Sequence, residues 1–161
     1  MVRTEISLFL KNIPGELGRL SSLLCNEGIN IDAITIQDAS KYVDELFQAR
    51  GKSLKRIASA ASYNSMMKDS AKFALIRLLV SNTDKVIDLL VKNEYVFEIN
   101  KVIAIELDNK PGTLSEISSK FGKEDINISY IYGSVSSPSA KCLFVFCPED
   151  IEKAISIFKN I

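Results

Sequence analysis

Apolar and polar residues alternate from Glu5 to Lys11, with Ile6, Leu8 and Leu10 on one side and Ser7 and Lys11 on the other. That period of two predicts a half-buried strand. Asn12 to Gly15 breaks the pattern with Pro and Gly; Leu17, Leu20, Leu23 and Leu24 then recur at helical spacing until Gly28, a residue suited to ending a helix. Ile29 to Gln37 alternates again. Phe73 to Val80 is an apolar run broken only by Arg77, as in a strand covered on both faces. Ser81-Asn82-Thr83-Asp84 offers caps for a helix through Val86, Leu89 and Leu90, and Tyr95 to Ile99 predicts a fourth strand. The order β-α-β-β-α-β is that of a ferredoxin-like unit.

The pattern then restarts. Val102 to Leu107 predicts a strand, Gly112 to Lys123 a helix with Leu114, Ile117 and Phe121 inward, and Ile126 to Gly133 and Lys141 to Cys147 two more strands. Pro148-Glu149-Asp150 predicts the start of a last helix, with Pro at an early position and acids favourable to the dipole. No fourth strand fits before Ile161, so the second sheet either has an open edge beside its first strand or is completed by another segment. Pairing with a neighbour is expected, because exposed edges are usually covered. Ala39 to Ala71 is too long for a structureless loop. Its apolar positions, Tyr42, Val43, Leu46 and Phe47 and then Leu54, Ile57, Ala58 and Ala61, predict a helical insertion.

The restart is a repeat. Asn12–Ile31, NIPGELGRLSSLLCNEGINI, returns 97 residues later at Asn109–Ile128 as NKPGTLSEISSKFGKEDINI, without a gap and with ten of twenty positions identical. Two unrelated amphipathic helices would share their apolar positions and little else. Here the loop residues match best, so a loop has been duplicated with its helix. The chain therefore reads as an α+β protein of two ferredoxin-like βαββαβ modules, 1–100 with the insertion at about 39–71, and 101–161 without its last strand. Lobes of this size are individually marginal, which predicts packing on each other or in a homodimer.

Composition narrows the function. Lys plus Arg and Asp plus Glu both number 20, giving zero formal charge, which argues against nucleic acid or an anionic membrane as partner. No apolar run has membrane-spanning length and Met1–Leu10 carries Arg3 and Glu5, so the expected location is the cytoplasm. There is no His, and Cys25, Cys142 and Cys147 have no metal-binding spacing, so neither a metal nor another cofactor is expected. The three thiols read as small, buried apolar side chains. Without imidazole, clustered loop acids or a phosphate-binding Gly run, the sequence is not that of an enzyme. Tyr130, Tyr132, Phe144 and Phe146 alternate on neighbouring strands but lack an RNA-binding motif, and are read as packing under a helix or a facing sheet.

The loop Asn-x-Pro-Gly-x-Leu after a first strand, then a helix, then Ile-Asn-Ile opening a second strand, resembles the ACT domain, a small-molecule-sensing module of amino-acid metabolism. With two copies in register, the chain looks like a free-standing tandem ACT protein. The resemblance implies a ligand between modules, touching the loop of one and the second strand of its neighbour. Carried over, the loop residues are Asn12, Ile13, Pro14, Gly15, Glu16 and Leu17, and Asn109, Lys110, Pro111, Gly112, Thr113 and Leu114. The strand residues are Asn30, Ile31, Asn127 and Ile128, and the pairing would cross copies, Asn12 with Asn127 and Asn109 with Asn30. Leu10 and Leu107 stand where some serine-binding relatives carry His, so the resemblance does not point to serine.

The chemistry of these residues agrees. A loop entering a helix N-terminus favours a carboxylate, Gly admits close approach to the backbone, Pro lowers the ordering cost, and Asn both donates and accepts. As simple loop residues, Asn12 and Asn109 could instead be helix caps. The function expected is non-catalytic regulation: a free amino acid binds between modules and the effect passes in trans to a partner enzyme of amino-acid metabolism. The alternative is an interaction or dimerisation subunit that binds no metabolite.

Overall fold

The computed structural model describes residues 1–39, 73–134 and 141–158. Apart from Ala39, the expected helical insertion lies outside the described residues. The order is β1 (Val2–Lys11), α1 (Glu16–Asn26), β2 (Ile31–Asp38), β3 (Phe73–Val80), α2 (Thr83–Lys92), β4 (Phe97–Asp108), α3 (Thr113–Lys123), β5 (Ile128–Ser134), β6 (Lys141–Pro148) and α4 (Ile151–Phe158). The chain divides into a first unit, Glu5–Ile99, and a second, Met1–Thr4 with Asn100–Ile161.

In the first unit β3 lies between β1 and β2 and runs antiparallel to both. The alternating faces of β1 and β3 bury Ile6, Leu8, Leu10, Ile76, Leu78 and Val80 against Leu20 and Leu24 of α1 and Val86 and Leu90 of α2. Each such side chain contributes about 1.5–3 kcal/mol on burial. The second unit repeats the layers. β6 lies between β4 and β5, and Ile103, Leu107 and Phe146 pack on Ile117 and Phe121 of α3 and Ala154 and Phe158 of α4. Phe121, Phe146 and Phe158 form a ring cluster with centroids 5.6 to 5.9 Å apart. The fold is the expected α+β, ferredoxin-like one.

The strands that meet the unit boundary differ from expectation. The pattern predicts separate strands at Tyr95–Ile99 and Val102–Leu107, yet Phe97–Asp108 is one strand, β4. The edge of the second unit's sheet is filled from the chain's own start. Ala104 N–H donates to the Met1 carbonyl at 2.8 Å and Lys101 Nζ to Thr4 Oγ1 at 2.7 Å. The residue numbers of both pairs add to 105, as one antiparallel register requires. Met1–Thr4 thus lies along β4 at the edge of the second unit's sheet.

Other details also departed from the sequence reading. Pro148 is buried as the last residue of β6 instead of opening the helix, and Asp150 takes the capping role, its Oδ1 accepting from Lys153 N–H at 2.9 Å. Among the thiols Cys142 is buried, but Cys25 is exposed on α1. Phe144 and Phe146 pack into the second core as expected, and Tyr130 and Tyr132 sit opposite Cys147 and Val145, off the face that Phe144 and Phe146 use. Leu114 is expected inward, yet it and its repeat counterpart Leu17 are both exposed, at 42% and 39%. They occupy the first turns of α1 and α3.

Candidate functional site

Each repeat begins its helix in the same way. Gly15 precedes α1 with φ 96° and ψ −21°, Gly112 precedes α3 with φ 97° and ψ −22°, and neither helix has a side-chain cap. Glu16 N–H reaches back to Ile13 O at 3.4 Å and Thr113 N–H to Lys110 O at 3.2 Å, so each loop closes as a tight turn. α2 is built differently: the Asn82 side chain accepts from Lys85 N–H at 3.1 Å, an ordinary cap. Asn12 and Asn109 are therefore not the N-cap residues of the helices that follow them. The open first turns of α1 and α3 keep the positive end of the helix dipole available to an anion.

A cleft of about 360 Å³ opens at the first loop, within the range of small-molecule pockets. It gathers Asn12, Ile13, Pro14, Gly15, Glu16 and Leu17 with Leu10, Lys11, Ile36 and Ala74. Leu10 and Ala74 are cross-strand partners on β1 and β3 and form its buried floor. Glu16 Oε1 lies 3.4 Å from Arg19 Nη1. Tyr95, packed against the core beside them, feels both charges: burial raises its phenol pKa, Arg19 lowers it and Glu16 raises it again.

A second cleft, about 440 Å³, opens at the other loop. Of the expected loop residues it takes Lys110 and Thr113, together with Glu106, Leu107, Asp108, Glu116, Ile117 and Lys141. Asn109, Pro111, Gly112 and Leu114 are not among the residues lining it. Lys110 Nζ stands 2.7 Å from Asp108 Oδ2. The hydrogen bond from Lys110, and then its charge, holds the Asp108 carboxyl below its ordinary pKa, while the same bond raises Lys110. Both side chains are mostly exposed, so the pair orders the cleft more than it stabilises the fold.

The expected strand residues line neither cleft. Asn30 Nδ2 donates to Asp32 Oδ1 at 3.0 Å, and its backbone N–H to Ser81 Oγ at 3.1 Å. Asn127 Nδ2 donates to Glu149 Oε1 at 3.1 Å. A β-bulge follows each of them, between Ile31 and Ala33 in one copy and Ile128 and Tyr130 in the other, again 97 residues apart. The bulge re-aims the start of the strand. Ile36, Ala74, Glu106, Asp108, Glu116 and Lys141 were missed as cleft residues. For the strand residues the signal is register, Ala74 opposite Leu10 and Lys141 opposite Asp108, and Glu116 lies about one helical turn after Thr113 on α3; a loop motif contains neither relation.

Among the described residues no group of His, Cys, Asp and Glu could hold a metal, and no helix is long and apolar enough to cross a membrane.

Comparison with known proteins bears on the same architecture. A family model described as an ACT domain pair matches residues 48–160. A crystal structure of a protein from Bacteroides thetaiotaomicron matches over 99% of this chain and 88% of its own, with a TM-score of 0.72 and 25% identity. The regulatory subunit of aspartate kinase from Thermus thermophilus, in its ligand-free form, matches over 98% of this chain and 92% of its own, with a TM-score of 0.54 and 13% identity. The corresponding subunit from Thermus flavus gives a TM-score of 0.52 at 13% identity, with the same coverage. At that identity the two subunits speak to the fold alone. No curated protein matches the sequence.

Proposed function

This chain belongs to the family of ACT domain pairs, and from that premise we propose that it is a non-catalytic regulatory protein that binds a free amino acid at its Pro-Gly loops. The observation that carries the reading is the duplicated helix start. Both repeat helices begin at a left-handed glycine with no side-chain cap, and each loop contributes to a cleft, whereas α2 is capped by its own Asn82. A cap residue at Gly15 or Gly112 would satisfy the amides that an α-carboxylate needs. The exposed Asn12, which lines the first cleft, offers an acceptor for the α-amino group.

Asn30 and Asn127, each oriented by a neighbouring carboxylate, are assigned to close the ligand from a module of a second copy of the chain, in a homodimer. Ligand binding then shifts the protein between assembly states by its differential affinity for them. The output passes in trans to an enzyme of amino-acid metabolism, in the cytoplasm, with no cofactor.

A thermal-shift panel of the twenty amino acids on ligand-free protein tests this. A ligand at a hundred times its dissociation constant stabilises by about 2.7 kcal/mol, a plain rise in melting temperature. A flat response to all twenty rejects the sensor and leaves the interaction subunit; light scattering that finds only monomer rejects the homodimer.

A further inference from the structure

We propose that the two clefts differ in what they accept, and that the first alone takes an amino acid with an apolar side chain. The inference rests on the clefts being amino-acid sites and adds the class of ligand and the number bound. At the first cleft Ile13, Leu17 and Ile36 are 52%, 39% and 50% exposed around the buried floor of Leu10 and Ala74. Large apolar side chains left in water on one rim gain from being covered, at about 25 cal/mol per Å². An apolar ligand side chain covers them, with Glu16 on the same rim facing the ammonium and the open turn of α1 facing the carboxylate.

The second cleft lacks that rim: Leu114, the counterpart of Leu17, is exposed but does not line it, and the other two positions have changed. Lys110 stands 97 residues after Ile13, in the same loop position. Ile36 pairs with Ile76, which pairs with Leu8; Gly133 pairs with Phe144, which pairs with Ile105, the repeat position of Leu8. Gly133 is thus the counterpart of Ile36. The Phe144 ring covers it so closely that a Cβ there would lie 2.8 Å from Phe144 Cδ1. In place of the rim the cleft carries Glu106, Asp108, Glu116, Lys110 and Lys141. An apolar side chain seated there would strip water from ions and return no hydrogen bond.

Isothermal titration of the full chain with leucine, methionine and phenylalanine, against serine, aspartate and lysine, decides the matter. At least one apolar amino acid binds at one per chain, and none of the polar three binds with the same affinity. Ile13→Lys and Ile36→Asn, each checked for folding by circular dichroism, weaken that binding by at least about tenfold, the worth of lost apolar contact in a pocket. Val91→Lys, at a still more exposed position on α2 that lines neither cleft, leaves it unchanged. Two apolar ligands per chain, preference for a polar amino acid, or indifference to both isoleucine changes overturns the inference while leaving the amino-acid reading intact. No binding by any amino acid overturns that reading, and this inference with it.

Discussion

Gly15 and Gly112, 97 residues apart, hold the same left-handed backbone to within about a degree, φ 96° and ψ −21° against φ 97° and ψ −22°. A Cβ added at either would meet nothing within 4 Å, so what keeps these positions glycine is their dihedral angles and not steric crowding. Gly15→Ala and Gly112→Ala are each expected to destabilise their unit by about 1–2 kcal/mol, the left-handed cost of an L side chain. Urea unfolding of the two variants measures it. A loss of more than twice this size at either site would mean that the open space beside the glycine is not open in solution.

Asn12 and Asn82 look alike in sequence, each close before a helix, but only Asn82 caps one. Asn82→Ala is expected to cost about 1 kcal/mol. Asn12→Ala, at an exposed loop position, is expected to stay within about 0.5 kcal/mol of the parent while removing the thermal shift given by the ligand. Equal losses of stability from the two changes would return Asn12 to the role of a cap.

Asp108 and Lys110 stabilise each other's charged forms across 2.7 Å. Asp108 binds its proton less readily in the folded protein, so its contribution is complete above the ordinary Asp range and is lost as pH falls through its lowered value. Lys110 is the mirror case: its contribution is complete below the ordinary Lys value and is lost as pH rises through its raised one. Carboxyl-carbon NMR titration is expected to find Asp108 below the ordinary range in the parent and displaced upward in Lys110→Ala. An Asp108 that titrates identically in both would dissolve the pair.

Removing Met1–Thr4 takes away the partner of Ala104 N–H and Lys101 Nζ and bares the edge of β4. Hydrogen exchange at the Ala104 amide is expected to accelerate in the truncated chain, and the protein to associate more readily at high concentration. Unchanged protection at Ala104 would show that the first four residues do not seal the edge.

Much of this protein was legible in one dimension because its information is local. The period-two faces of Ile6, Leu8 and Leu10, the apolar run Phe73–Val80 and the helical spacing of Leu20 and Leu24 each report a side-chain direction fixed by the backbone a few residues away. The duplicated loop was visible for the same reason, since Asn, Pro, Gly and Leu recur at fixed offsets whatever surrounds them. Family and fold follow from those two facts.

The rest depended on which strands became neighbours. Nothing in Met1–Thr4 says that it pairs with Lys101–Ala104, and nothing around Asn100 says whether β4 continues or turns, because a backbone amide acquires a partner only when the sheet is assembled. Leu17 and Leu114 have the spacing of core residues, yet both are exposed, because burial requires an element opposite as well as an apolar face. The sequence by itself determined a tandem pair of loop-and-helix repeats and the kind of chemistry their loops offer. Only the tertiary structure decided that Ile36 and Ala74 line one cleft and Lys141 the other, because cross-strand register joins residues that are distant in sequence and so sets how the two sites differ.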